Sequence, residues 1–318
     1  MAPGIINRIL ERINRPDLLS VLANELTGSE LNSLLLEVFN HKAASRSGPE
    51  LLNLYQQNRF VKPADLPVLE MRKAELDILE LLGHHGFSPL ELSPVSILGS
   101  CSAVGSVNQK KVLSALRGTE VLADSTNAIA LHACDLKQRN KTKPGSSGVW
   151  MKCSTIQRQL RTQTISGKGF TPHFKIGCLV TCGRDIGGFT FEKKSLLEHI
   201  KAMKSLFLDY YKAEEVSFRV LPRGGYTHSE NLVRAIEAFL HNQDSDTKIS
   251  ITDETVSENN YYKGLQYKVD ITISGTTFEI ADGGFVDWTQ QLLQNKKERM
   301  LSTGFGFDMM YRIQTGEL

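Results

Sequence analysis

The chain has 318 residues, enough for one large domain with an appendage or for two ordinary domains, and its composition is that of a soluble globular protein. With 37 basic against 35 acidic residues the net charge is +2, which excludes a global electrostatic attraction to nucleic acid or a membrane surface. Five cysteines with no close repeated spacing exclude a secreted disulfide framework and indicate reduced thiols in a cytoplasmic compartment.

The N-terminus, MAPGIINRILERINRPDLL, lacks the apolar stretch of a signal peptide, and no later segment approaches the ~18 consecutive apolar residues of a membrane span. Residues 1 to about 60 read as helices. In TGSELNSLLLEVFNHKA, Thr27 or Ser29 stands as N-cap ahead of Leu31, Leu34, Leu35 and Val38, which recur at the spacing of one helical face. GPELLNLYQQNRF is a second helix, with Pro49 in its first turn. The two prolines of FVKPADLP break the pattern, so a helical module over residues 1–62 is expected ahead of a second unit over 67–318.

VLEMRKAELDILELLGHHGF then reads as a long amphipathic helix closed by glycine, and SPLELSP as a short strand ending at Pro94. Strands are expected at TEVLAD, VWMKCSTIQRQLRTQ, HFKIGCLVTC, EVSFRVL, TKISITD, GLQYKVDITIS and TTFEIAD, and helices at KKSLLEHIKAMKSLFLDYYK and SENLVRAIEAFLHN. Several strands are separated by short turns rather than helical crossovers, which predicts an α+β fold: a mainly antiparallel sheet flanked by helices. QRNKTKPGSSG reads as a basic, glycine- and serine-rich loop.

No GxxxxGK[ST] run is present, so a P-loop is excluded. His84 and His85 are adjacent and diverge on a helix; Cys178 and Cys182 lie too far apart for a CxxC pair; His132 and Cys134 lack further ligands at metal spacing. Buried thiols and ordinary histidines account for them.

In this order the pieces resemble the catalytic core of class II aminoacyl-tRNA synthetases, nearest to the histidyl-tRNA synthetase type and to its shortened paralogue, the regulatory subunit of ATP phosphoribosyltransferase. The resemblance covers roughly residues 67–318. MRKAELDILELLGHHGFSPLELSP, with Gly86 and Pro94 in the matching places, is similar to the family's first motif and implies a homodimer through residues 68–98. VLADSTNAIAL carries Asp124 and Thr126 at the spacing that, in the family, holds the substrate's amino group; a helix N-cap at Asp124 or Ser125 explains the same residues equally well.

QRQLRTQTISGKGFTPHFKIGCLVTCGRD resembles the second motif, which implies Arg161 on the α-phosphate, Gln163 in the place of an acidic residue, and Phe174 stacked on adenine. An arginine suits phosphate because its planar fork spreads charge over two oxygens. A surface strand with alternating polar residues fits IQRQLRTQ as well. Arg184 lies too close to Phe189 for the motif's loop and is read as a loop residue.

NNYYKGLQYKV resembles the family's tyrosine pair and following glycine, which implies Tyr261, Tyr262 and Gly264 against the amino-acid side chain. On a strand the two tyrosines would alternate, and only one would face a given pocket. Ser257 stands nearest the place of the family's upstream arginine, which argues against histidine as the substrate. EIADGGFVDWTQQLL and STGFGFDMM are similar to the third motif, with Gly283 and Gly284, then Gly304 and Gly306, letting backbone approach the ligand. The family's γ-phosphate arginine falls on Met309; Arg312, Lys296, Lys297 and Arg299 are candidate replacements, against the commoner fate of a solvated face.

The resemblance therefore implies a divergent paralogue that binds an amino-acid-like small molecule in the former active site, in a regulatory or accessory role, with residues 1–60 available to a protein partner. The alternative is a tRNA-independent ligase that activates a carboxylate with ATP and Mg²⁺ as cofactors. tRNA is not an expected partner: the chain leaves no room for an anticodon-binding domain after the third motif, and its net charge of +2 offers little to a phosphate backbone.

Overall fold

The computed structural model describes residues 3–140, 150–163, 171–226, 229–244, 246–252 and 261–318. Ser257 and most of the QRNKTKPGSSG segment fall outside them. Helices α1 (Pro3–Arg12), α2 (Leu18–Ser20), α3 (Gly28–Ala44) and α4 (Gly48–Gln57) come first. α3 begins where a capping box forms: the Thr27 hydroxyl accepts from the Glu30 amide, and the Glu30 carboxylate accepts from the Thr27 amide. Ser47 caps α4 in the same sense, with Pro49 in the first turn. No described residue before Lys62 is fully buried, and Leu34, Phe39, Leu51 and Leu52 stay exposed. Asn32 Oδ1 accepts from the Arg117 amide at 2.7 Å, and the Lys62 carbonyl lies 2.6 Å from His173 Nε2, linking these helices to the rest.

After α5 (Val68–His84) comes β1 (Ser88–Pro89), which is only two residues long where SPLELSP suggested a fuller strand. Its pairing ends at Ser154, whose carbonyl accepts from the Leu90 amide at 2.8 Å just past Pro89. β2 (Val95–Ile97) and β3 (Thr119–Val121) form a separate antiparallel ribbon. β1 joins β4 (Met151–Leu160), β5 (His173–Arg184), β6 (Glu215–Pro222), β7 (Lys248–Ile251), β8 (Leu265–Ile273), β9 (Thr276–Val286) and β10 (Glu298–Gly306) in an eight-stranded sheet of order β1-β4-β5-β10-β9-β8-β6-β7. Pairing is parallel only at the two ends, β1 on β4 and β6 on β7, so the expected mainly antiparallel α+β architecture is the observed one.

The remaining helices are α6 (Ser125–Asn140), α7 (Thr190–Lys204), α8 (Ser229–Gln243), α9 (Trp288–Leu293) and α10 (Phe307–Gln314). One core brings Ile78 of α5, Leu196 of α7, Leu232 of α8 and Met310 of α10 against strand residues such as Leu179 and Leu301. A second, smaller core on the other sheet face holds Ile129 and Ala133 of α6 and Trp288 of α9 against Val180 and Met300. Successive side chains on a strand alternate faces, so Leu179 enters the first core and Val180 the second. Further along that second face, Ile176, Cys178, Asp282 and Gly304 line an open cleft instead of a core. No helix among the described residues is long and apolar enough to cross a membrane.

Candidate functional site

The floor of the cleft is set by strand register. Cys178 on β5, Gly304 on β10 and Asp282 on β9 are direct cross-strand partners and form one row. With no side chain at Gly304, a slot opens between the thiol and the carboxylate. A Cβ placed at Gly304 would meet Ile176 Cγ2 at 3.6 Å, an ordinary contact. At Gly283 it would lie 2.7 Å from the Ser302 carbonyl oxygen, and at Gly284 2.6 Å from the Leu265 carbonyl oxygen. The Gly283–Gly284 pair is thus required by strand packing, whereas Gly304 keeps the cleft open.

Gly306 ends β10 and stands as N-cap of α10, where a Cβ would lie 3.0 Å from that of Met309. Gly264 has φ +73° and donates its amide to the Gly224 carbonyl at 2.8 Å, so it shapes a turn and does not line the cleft as the resemblance implied.

Two carboxylates form the walls. Asp124 stands just ahead of α6, where its Oδ1 accepts from the Thr126 amide at 2.8 Å and from the Thr126 hydroxyl at 2.7 Å. Its Oδ2 accepts from the Tyr261 hydroxyl at 2.6 Å. One Asp124 oxygen thus caps the start of α6, while the other faces the cleft. The Tyr262 hydroxyl donates to Asp282 Oδ2 at 3.0 Å, and the Gln266 amide approaches the same oxygen at 3.3 Å. Tyr261 and Tyr262 precede β8 in a turn, so strand alternation does not apply and both line the cleft. Their ring centroids lie 4.8 Å apart, edge to face, and Tyr261 also packs edge-on against Trp288 at 5.1 Å.

Arg161 follows the end of β4 and donates Nε to the Ala123 carbonyl at 3.1 Å. Its guanidinium carbon lies 5.5 Å from the Phe174 ring centroid as a cation–π pair, and Phe174 itself does not line the cleft. Gln159, fully buried, steadies the same corner: with its amide oriented by its partners, it donates to the Ala123 carbonyl at 2.9 Å and accepts from the Ser125 hydroxyl at 2.9 Å. Asp124, Arg161, Tyr261, Tyr262 and Asp282 all border two adjoining lobes. One, of about 240 Å³, lies over the row through Gly304; the other, of about 320 Å³, is bounded by Cys101, Lys111 and Gln163.

Glu279 also lines the first lobe, but Arg219 at 2.7 Å and Lys268 at 3.0 Å take up its charge. Asp124 and Asp282 have no lysine or arginine partner among the described residues. Burial pushes the Asp282 carboxyl above the usual carboxylate range against the bonds from Tyr262 and Gln266, and nearby Glu279 and Asp124 push it the same way. Burial also raises the Tyr261 and Tyr262 hydroxyls, and the carboxylates they bond add to this, so both remain proton donors. The Cys178 thiol is likewise pushed up by burial and is a poor nucleophile.

The replacement cations are directed elsewhere. Arg312 pairs with Glu317 and donates to the Asp65 carbonyl at 3.2 Å, and Arg299 bonds Asp185 at 2.7 Å and Glu192 at 2.9 Å. Neither these two nor Lys296 and Lys297 line the cleft, and Met309 packs against the first core. Arg184 is the exposed last residue of β5 rather than a loop residue. No group of three His, Cys, Asp or Glu side chains among the described residues is placed to hold a metal ion. Sequence reasoning missed Asp282, Gln159, Cys178 and Lys111. Only Asp282 carried a signal, as a charged residue directly ahead of Gly283 in the segment expected to approach a ligand.

No protein-family model matches the sequence, and no curated protein matches it. Among solved structures the chain is similar to histidyl-tRNA synthetase from S. aureus, with 12% identity and a TM-score of 0.59 over 80% of this chain and 69% of that one. It is similar to an ATP phosphoribosyltransferase regulatory subunit/histidyl-tRNA synthetase from Bacillus halodurans, with 13% identity and a TM-score of 0.57 over 80% and 81%. A histidyl-tRNA synthetase from a Nostoc species gives 12% identity and a TM-score of 0.55 over 82% and 77%. At these identities the likeness shows the fold, that of a class II aminoacyl-tRNA synthetase-like core.

Proposed function

We propose that the chain binds an amino-acid-like small molecule in this cleft and acts in a regulatory or accessory role rather than in tRNA charging. The observation that carries this is the Asp124–Tyr261 pair beside Arg161. A carboxylate held by a neutral donor suits an ammonium, and a planar guanidinium suits a carboxylate, so the two halves of an amino acid meet opposite charges across one cavity. The phosphate side is weaker. Arg161 could meet one phosphate of ATP, but Met309 stands where a second arginine would be, and Arg299 and Arg312 are engaged elsewhere. Losing one charge-assisted contact weakens binding by about 1.5–3 kcal/mol.

A homodimer through residues 68–98 is part of this reading. It is supported by Val68, Leu69 and Leu76 on α5 and by Ile97 and Leu98, all exposed in the single chain. The exposed apolar residues of α3 and α4 support a protein partner for residues 1–60, and the free cysteines support a cytoplasmic location.

A thermal-shift screen of the common amino acids, with and without millimolar Mg-ATP, tests the proposal. Amino acids should raise the melting temperature and ATP alone should raise it little, since stabilisation follows RT ln(1 + [L]/Kd). Absence of any amino-acid response, or its persistence in Asp124→Ala, would refute it. The second reading, an adenylate-forming ligase, is favoured by the proximity of Arg161 to Phe174. It requires amino-acid-dependent pyrophosphate exchange that Arg161→Ala abolishes.

A further inference from the structure

The two consecutive tyrosines hold two different carboxylates toward one cavity: Tyr261 bonds Asp124 and Tyr262 bonds Asp282. Placing a second carboxylate there carries a cost, because a partly buried anion held only by neutral donors has lost much of its hydration without gaining a counter-charge. The chain meets the other acidic group of the lobe differently: Glu279 has both Arg219 and Lys268. Lys268 is the direct cross-strand neighbour of Asp282, yet its ammonium is bonded to Glu279 instead.

Asp282 is also held in position. Arg223 grips the Gln266 amide oxygen at 3.0 and 2.6 Å, which leaves the amide nitrogen of Gln266 aimed at Asp282 Oδ2. Tyr262 fixes that oxygen from the other side, while Oδ1 has no hydrogen-bond partner among the described residues. The carboxylate is thus oriented by two donors, the second braced by Arg223, with one oxygen left over. In front of it the Gly304 slot is open as far as Cys178. An amino acid bound through Asp124 and Arg161 therefore shares its cavity with a second, oriented carboxyl group that has no lysine or arginine partner among the described residues.

We propose that the cleft selects a diamino acid, with one ammonium on Asp124, the carboxylate at Arg161 and the second ammonium on Asp282 across the Gly304 slot. This rests on the amino-acid-binding reading above and names its substrate class. Aliphatic walls from Ile176 and Ile280 and the faces of the tyrosines suit the methylene chain between the two ammonium groups.

Calorimetric titration of the full chain with lysine and ornithine, against norleucine and norvaline, tests it, since each pair differs chiefly in the distal ammonium. The diamino acids should bind at least roughly tenfold tighter, the span of one charge-assisted contact. Asp282→Asn should bring the lysine-to-norleucine ratio close to one, and Asp124→Asn should weaken both ligands. If norleucine binds the wild-type chain as well as lysine does, the diamino-acid inference is overturned and amino-acid binding survives. An unchanged ratio in Asp282→Asn also overturns the inference. If none of the four binds, the diamino-acid inference is overturned, and the thermal-shift screen of the common amino acids decides whether amino-acid binding falls with it. A titration with calcium or magnesium chloride alone that matches the lysine affinity would mean the paired carboxylates bind a cation as such, and would equally overturn it.

Discussion

Tyr261 and Asp124, 137 positions apart in the chain, share a 2.6 Å hydrogen bond that ties the turn ahead of β8 to the start of α6. One wall of the cleft therefore exists only when both segments have docked. Tyr261→Phe removes the donor and leaves Asp124 Oδ2 without it. A loss of about 1–2 kcal/mol is expected, read as a melting temperature lower by roughly 2–4 °C. An unchanged melt would mean that the bond does not hold the wall.

The glycines of the floor separate packing from opening. Gly284→Ala places a methyl 2.6 Å from both the Leu265 carbonyl and a Tyr262 ring carbon, so it should destabilise the protein by about 2 kcal/mol or more. Gly304→Ala meets only an ordinary 3.6 Å contact, so its melting temperature should stay within roughly 2 °C of the wild type while amino-acid binding falls. Comparing melts and titrations for the two variants checks this; equal destabilisation would contradict it.

His199 is fully buried between Thr181 and Thr303, 2.9 and 2.6 Å from its two ring nitrogens, and burial lowers its pKa from 6.5 to about 3. As pH falls below 6.5 the unfolded chain takes up a proton that the folded chain refuses until about 3. Its contribution to stability is therefore complete above 6.5 and lost progressively below it. Urea unfolding at pH 7, 5 and 4 should show a loss on the order of several kcal/mol. His199→Gln should flatten that dependence even if its absolute stability is lower.

Asp282 works in the opposite sense. Its folded carboxyl keeps a proton to higher pH than the unfolded value of 3.8, so its contribution is complete below 3.8 and is lost as pH rises through the folded value. Above 3.8 the fold must either hold that proton or bear the buried charge, a cost kept in the cleft as binding groups often are. Asp282→Asn should raise the melting temperature at pH 7 by roughly 2 °C and give no gain near pH 4. A lower melting temperature at pH 7 would show that the carboxylate is already compensated.

Reading the chain alone located α3 and α4 through Thr27 and Pro49, the strands through their alternation, and Asp124, Arg161 and the two tyrosines through motif order. These features are written in residues that are neighbours along the chain, because helix caps, proline breaks and period-two patterns act over a few positions. The row Cys178–Gly304–Asp282 is of another kind: it depends on the register of three strands, and a shift by one residue would send each side chain to the opposite face. Which carboxylate lacks a cation is likewise decided across the fold. Lys268 and Arg219 converge on Glu279, Arg299 turns to Glu192 and Arg312 to Glu317, and each of those choices follows from where a folded backbone brings a long, flexible side chain. Composition and local pattern specify the elements and their order, while the charge left unpaired in the cleft is a property of their packing alone.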